Sequence, residues 1–132
     1  MTLLLDASAV VDLLLRSDRG ERVRAKLGGR DGEEWFSVAH LDAEVFSALA
    51  RLQRAGELDA TEITALLDPL AALPARRLPI TGRLLLTAWS LRENVTARDS
   101  LYVAAARALG ADLVTTDDRI ARAVPGIVAN LE

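Results

Sequence analysis

Four acidic residues stand where one predicted element gives way to the next, and together they suit one kind of chemistry. They are Asp6, Glu44, Asp99 and Asp117. Carboxylate oxygens are the protein ligands that Mg²⁺ and Mn²⁺ prefer, and both ions also bind substrate phosphates. Without a cation, two carboxylates about 5 Å apart repel by about 3 kcal/mol in a protein-like dielectric. If the fold gathers the four, they favour metal-assisted chemistry on a phosphate ester.

Each acid taken alone also has a structural explanation. Asp6 precedes an apolar helix and suits an N-cap, and Glu44 suits the solvated flank of an amphipathic helix. Asp99 follows Thr96 in a capping-box pattern, and Asp117 at a helix start favours the helix dipole. Only the coincidence of all four at one edge of a sheet distinguishes chemistry from capping.

The elements that must position these acids alternate between strands and helices. The predicted strands are Leu3–Leu5, Trp35–Ala39, Arg76–Ile80, Asp112–Thr115 and an edge strand Ile127–Ala129. The predicted helices are Ala7–Leu15, Asp18–Leu27, Leu41 to a stop at Gly56, a helix capped by Asp59 and ending at Leu73, Thr81–Glu93, Ala97–Leu109, and Asp117 or Asp118 to Ala123. Gly28 to Glu34 predicts a surface loop.

This alternation predicts an α/β fold, a three-layer α/β/α sandwich with a short parallel sheet of four or five strands, in one domain spanning residues 1–132. In such sheets ligands bind beyond the carboxyl ends of the strands. That rule points to Asp6, to the residues after Ala39, and to Thr115, Thr116 and Asp117.

The composition excludes several other kinds of site. The 132 residues include no Cys, one His (His40) and one Lys (Lys26), with a net charge of −3. Disulfide scaffolds, zinc sites with Cys or several His ligands, and thiol catalysis are therefore excluded. No apolar run approaches the ~20 residues of a membrane helix, and the start lacks a signal-peptide pattern, so a cytoplasmic protein is expected.

Four segments, in order, resemble the motifs of PIN-domain ribonucleases, and the length and motif set resemble the VapC toxins of bacterial toxin–antitoxin pairs. The segments are Leu3-Leu-Leu-Asp6-Ala-Ser8, Glu44-Val-Phe-Ser-Ala-Leu-Ala-Arg51, Asn94-Val-Thr-Ala-Arg98-Asp99-Ser-Leu-Tyr102, and Leu113-Val-Thr115-Thr-Asp117-Asp118-Arg. The match runs from Thr2 to about Ala123.

The resemblance implies an Mg²⁺- or Mn²⁺-dependent endoribonuclease. It assigns Asp6, Glu44, Asp99 and Asp117 as the acidic metal site. For the reaction we expect Asp6, Asp99 and Asp117 to hold the metal, and Glu44 to bind it indirectly or to position water. The resemblance assigns supporting polar roles to Ser8, Asn94 and Thr115. Arg98 stands where the family often has Tyr, and it becomes a candidate RNA contact. Whether Asp118 contributes to the site stays open.

The resemblance also implies partners: an RNA substrate, an antitoxin, and a second copy of the toxin in a homodimer. Apolar segments suited to such interfaces are Leu66–Leu67 and Leu84–Leu86, although ordinary core faces explain them equally well. Candidate phosphate-binding residues are Arg16, Arg51, Arg54, Arg98 and Arg119.

Three alternatives remain at this stage. A housekeeping RNA-processing nuclease of the same fold has the same residues, and a non-catalytic binding module is disfavoured because all four acids are present. A receiver-type domain with a nucleophilic Asp would need a lysine beside its phosphate site, and Lys26 falls in a predicted outer helix.

Overall fold

The sheet has four parallel strands in the spatial order β3-β2-β1-β4, in a computed structural model that describes residues 2–28 and 34–132. The strands are β1 (Thr2–Leu5), β2 (Glu34–Val38), β3 (Arg76–Leu78) and β4 (Asp112–Val114). β1 is central, and its Leu3, Leu4 and Leu5 are completely buried, as both faces of a covered parallel sheet require. The predicted α/β class is confirmed.

Seven helices in the described ranges connect and cover these strands. They are α1 (Ala7–Leu15), α2 (Asp18–Gly28), α3 (Leu41–Arg54), α4 (Ala60–Ala71), α5 (Gly82–Trp89), α6 (Ala97–Leu109) and α7 (Asp118–Ala123). Right-handed crossovers place α1 to α4 on one face and α5 and α6 on the other. α6 contacts β1, β2 and β4, and its Tyr102 to Ala106 stretch is buried.

Element ends differ from the prediction for identifiable reasons. β3 ends at Leu78 because Pro79 has no N–H to donate to the ladder. α5 ends at Trp89 rather than Glu93. Ser90 Oγ donates a hydrogen bond to the carbonyl oxygen of Thr87, and the Arg92 guanidinium donates one to that of Trp89, so side chains take carbonyls of the last turn. The predicted Ile127–Ala129 strand is one parallel bridge between Val128 and Leu113.

The predicted loop from Gly28 to Glu34 is wrong at both ends. Gly28 closes α2 and Glu34 opens β2, whereas residues 29–33 lie outside the described part of the chain. No helix within the described ranges is both long and apolar enough to cross a membrane.

α1 and α2 meet at Gly20, where the two backbones approach very closely. A Cβ built on Gly20 would lie 1.9 Å from the carbonyl oxygen of Asp12. The neighbouring connection is tied by Ser17, whose hydroxyl donates to the Asp12 carboxylate at 2.8 Å and accepts from Gly20 N–H. Because Asp12 borders the groove described below, this close approach fixes one of its walls.

We expect Gly20→Ala to destabilise the protein by about 2–4 kcal/mol, because backbone atoms must move apart to admit the methyl group. Urea unfolding followed by circular dichroism measures the change. Gly82→Ala is the matched control, since a Cβ there meets nothing within 4 Å. Equal stability of the two variants would contradict the close packing.

Candidate active site

An open groove of about 820 Å³ lies at the carboxyl ends of the strands. From β1 the chain connects to β2 on one side of the sheet, and β4 pairs with the other side of β1. β1 and β4 therefore flank the point at which the strand order reverses, where ligands bind in such sheets. Its lining includes six carboxylates and four guanidinium groups: Asp6, Asp12, Glu44, Asp99, Asp117, Asp118, Arg51, Arg98, Arg119 and Arg122. All four predicted acids therefore border one groove.

Asp6 is the buried acid of the groove, with 2 % of its surface exposed. It directly follows β1 and caps α1, its Oδ1 accepting from Ala9 N–H at 2.9 Å and from Ser8 Oγ at 2.7 Å. Its Oδ2 accepts from Thr115 Oγ1 at 2.5 Å. Burial raises the pKa of Asp6 to about 6, partly offset by these hydrogen bonds, and the charge of Asp99 adds to the rise.

The two hydroxyls that bind Asp6 also hold the segment after β4. Ser8 Oγ accepts from Thr116 N–H at 3.0 Å, and Thr115 Oγ1 accepts from Asp117 N–H at 3.1 Å. Each hydroxyl thus donates its single proton to the carboxylate and accepts from a backbone amide. Thr115 therefore connects Asp6 to the backbone of Asp117, and Ser8 connects Asp6 to the backbone of Thr116.

Asp99 and Asp117 each sit at a helix start and each engage a neighbour in sequence. Thr96 Oγ1 donates to Asp99 Oδ2 at 2.8 Å and accepts from Asp99 N–H at 3.4 Å. Thr96 is therefore the N-cap of α6, but among the described hydrogen bonds the Asp99 side chain does not return to the Thr96 backbone N–H as a capping box requires. Asp117 accepts from the Arg119 guanidinium at 3.0 Å and from Arg119 N–H at 2.9 Å. The Arg119 hydrogen bond lowers the pKa of Asp117.

Glu44 is held by three side chains. Its Oε1 accepts from the Tyr102 hydroxyl at 2.8 Å and lies 3.2 Å from His40 Nε2, and its Oε2 lies 3.6 Å from the Arg98 guanidinium. Burial alone would raise its pKa, but the hydrogen bonds from His40 and Tyr102 and the nearby charge of Arg98 outweigh burial. The pKa of Glu44 is therefore lowered.

The described acids of the groove do not form a preformed metal site. Within residues 2–28 and 34–132, no three acidic or histidine side chains converge closely enough to grip one metal ion. Asp117 and Glu44 point to Arg or to other donors, whereas Asp6 has only neutral partners. The predicted metal ligands Asp6, Asp99 and Asp117 all border the groove, and each offers the carboxylate oxygens that hard divalent cations bind.

The remaining predicted residues divide between the groove and its surroundings. Arg51, Arg98 and Arg119 line the groove, and Arg16 and Arg54 do not. Asn94 lines a smaller adjoining cavity that shares Thr96, Asp99 and Arg119 with the main groove. Lys26 lies on α2 and not in the groove, which leaves the receiver-type reading without its lysine.

Sequence reasoning missed two groups that shape the groove. Asp12 accepts from Thr116 Oγ1 at 2.5 Å and lines the groove wall. Its signal was a lone acid within the otherwise apolar α1. The hydrogen bond between Tyr102 and Glu44 was missed because it joins residues 58 positions apart. The signal in the sequence was that Tyr102 is the only Tyr in the chain and lies one helical turn after Asp99.

Comparison with known proteins agrees with this architecture. The family model described as PIN domain matches residues 3–125. Ribonuclease VapC3 of Mycobacterium tuberculosis strain H37Rv is 47% identical over 121 residues, covering 91% of this chain and 85% of that protein.

Two solved structures share the fold at low identity. M. tuberculosis VapC20, described as a sarcin–ricin loop cleaving toxin, superposes with a TM-score of 0.65 at 17% identity, over 96% of both chains. VapBC2 from Rickettsia felis, bound to a fragment of its promoter DNA, gives a TM-score of 0.70 at 16% identity over 98% of both chains. The family match and the identity to VapC3 establish that this chain belongs to the PIN-domain family, among the VapC ribonucleases.

Proposed function

We propose that this protein is a divalent-metal-dependent endoribonuclease that acts in the cytoplasm as the toxin of a type II toxin–antitoxin pair, with residues 1–132 forming one PIN domain. Support comes from membership of a family whose named relatives are ribonucleases and from a groove lined by all four predicted acids. The observation that carries the proposal is the buried carboxylate of Asp6.

Asp6 is the buried acid of the groove, and the described part of the chain supplies it no cation. Its partners are two hydroxyls and one amide, whereas Asp117 and Glu44 have Arg119 and Arg98. Burying an ionised carboxylate is costly, and its raised pKa expresses that cost. A bound divalent cation would supply the missing positive charge, and Asp99, whose charge also raises the pKa of Asp6, provides a second oxygen ligand.

Asp6, Asp99 and Asp117 would hold the Mg²⁺ or Mn²⁺ ion. When bound, such an ion supplies positive charge for the scissile phosphate and lowers the pKa of water. To bind the ion, Asp117 must release its contact with Arg119. The Arg119 guanidinium is then free to bind an RNA phosphate. Arg98 and Arg51 offer further phosphate contacts on the same groove.

Glu44 has a different task from the three proposed ligands. Its lowered pKa keeps it ionised at neutral pH, so it orients the attacking water by accepting one of its hydrogens. In-line attack by water with the 3′ oxygen as the leaving group leaves a 5′-phosphate and a 3′-hydroxyl. No 2′,3′-cyclic phosphate forms, because the ribose 2′-hydroxyl takes no part.

One face of α5 provides a surface for the second copy of the toxin. Leu85, Leu86 and Trp89 are 52 %, 75 % and 63 % exposed. Large apolar side chains grouped on one surface mark interaction sites, since a water-exposed apolar patch is stabilised by being covered. We infer that this face forms the homodimer interface, while the antitoxin silences the groove.

We expect the purified, antitoxin-free protein to cleave RNA with Mg²⁺ or Mn²⁺ and to lose cleavage in EDTA. Asp6→Asn should reduce the rate at least ~100-fold, because it removes a charge from the proposed metal site. End-mapping of labelled total RNA and Mn²⁺ titration calorimetry are the measurements, with the exposed α4 acid variant Asp68→Asn as control. Cleavage that persists both in EDTA and in Asp6→Asn would contradict the proposal.

Asp6→Asn should also stabilise the metal-free protein at pH 7.5 by about 1–3 kcal/mol. The folded-state pKa of Asp6, about 6, exceeds the ordinary value of 3.8, so the folded state binds the extra proton. Titration of Asp6 therefore removes stability as pH rises from about 4 to about 6, and the variant lacks this contribution. Urea unfolding in EDTA at pH 4 and 7.5 tests this, and a variant no more stable than wild type at pH 7.5 would refute it.

Leu86→Glu should convert the dimer into a monomer at micromolar concentration, because a buried interface disfavours an unpaired charge. Light scattering after size exclusion reads the mass of each species. Ala65→Glu, at an exposed position of α4, should leave the mass unchanged. A dimeric Leu86→Glu protein would place the interface elsewhere.

A further inference from the structure

The carboxylate of Glu44 is held by side chains from outside its own helix α3. Tyr102 and Arg98 both belong to α6, and His40 stands immediately before α3. Tyr102 and His40 both approach Oε1. Oε2 accepts no hydrogen bond from the described residues, and its nearest cation, Arg98, is 3.6 Å away. The two oxygens of Glu44 therefore have different surroundings.

The Tyr102 ring is anchored independently of its hydroxyl. The residue is 1 % exposed, and its ring stacks on the His40 ring with centroids 4.5 Å apart. Its hydroxyl reaches one acceptor, Glu44 Oε1, at 2.8 Å. Burial, followed by the hydrogen bond to Glu44, raises the pKa of Tyr102, so the hydroxyl keeps its proton and serves as a donor.

His40 faces Glu44 with a protonated nitrogen. Its Nε2 lies 3.2 Å from Glu44 Oε1 and 3.3 Å from the carbonyl oxygen of Arg98, and both of these are acceptors. Its Nδ1 is buried and has no hydrogen-bond partner among the described residues. Because both neighbours of Nε2 are acceptors, Nε2 is assigned as the nitrogen that carries a proton.

We propose, resting on the nuclease function above, that Tyr102 and His40 are positioning residues that hold Oε1 of Glu44 and leave Oε2 to orient water in the groove. The Tyr102 hydroxyl donates to Oε1, and His40 Nε2 lies 3.2 Å from the same oxygen, so the carboxylate plane is restricted at Oε1. The free rotation that an exposed Glu would have is thereby removed before substrate binds. Within the described part of the chain, neither residue hydrogen-bonds to the three proposed metal ligands.

Tyr102→Phe isolates the hydroxyl, because the ring and its stacking on His40 are kept. We expect kcat to fall about ten-fold, the range of one lost hydrogen bond to a charged group, with KM changed less than about two-fold. Mn²⁺ affinity should stay at the wild-type value, since no proposed ligand is altered. Thr64→Val, which removes a hydroxyl that bonds only within α4, is the control expected to keep the wild-type kcat.

A double-mutant cycle with Glu44→Gln shows whether Tyr102 acts through Glu44. Glu44→Gln alone should lower kcat more than Tyr102→Phe does, and the double variant should equal Glu44→Gln. His40→Phe, which keeps a ring against Tyr102 but removes Nε2, should also lower kcat. A wild-type kcat in Tyr102→Phe, or a further full loss in the double variant, would overturn the positioning role.

A second readout requires no activity. Carbon-detected NMR titration of the Glu44 carboxyl should give a higher pKa in Tyr102→Phe than in the wild-type protein, because one donor to the ionised form is lost. If the wild-type protein cleaves no RNA, the proposed function fails. The titration still tests whether the Tyr102 hydroxyl donates to the Glu44 carboxylate. An unchanged Glu44 pKa would overturn the positioning role while leaving RNA cleavage as a separate question.

Discussion

The buried carboxylate of Asp6 is the interaction on which the groove depends. It sits where β1 ends and α1 begins, and it draws donors from the start of α1 and the end of β4. A carboxylate without water must be hydrogen-bonded or neutralised, so these elements are tied to it and to one another. Ser8 and Thr115 extend the constraint by accepting from the backbone amides of Thr116 and Asp117.

The other acids of the groove are stabilised differently, and the differences suit different tasks. Asp117 is balanced by the mobile charge of an exposed arginine, Arg119, and Asp99 by a threonine hydroxyl. Glu44 is held by the hydroxyl of the buried Tyr102, whose ring stacks on His40. An exposed arginine exchanges partners at little cost, whereas a buried tyrosine does not. Arg119, the partner of Asp117 beside the proposed ion, is therefore replaceable. Tyr102 is instead a fixed partner for Glu44, the proposed water-orienting acid.

Much of the fold follows from local patterns, and the failures also have local causes. The central strand was predictable because three consecutive leucines before an acid leave few other structures. Gly56 and Gly110 take positive φ at the ends of α3 and α6, so their stop signals were correct. The early end of α5 was not predictable, because it depends on Ser90 and Arg92 bonding carbonyls of the last turn.

The sequence by itself determined that Asp6, Glu44, Asp99 and Asp117 would border one groove, because alternating strands and helices send the carboxyl ends of parallel strands to one edge. It determined the caps at Asp6 and Thr96 as well, since capping involves residues only three apart. Only the tertiary structure decided how each acid is held. The contact between Tyr102 and Glu44 and the burial of Asp6 behind Thr115 join residues 58 and 109 positions apart. Such contacts depend on how α6 and β4 pack against β1, and no short-range pattern in the sequence carries that information.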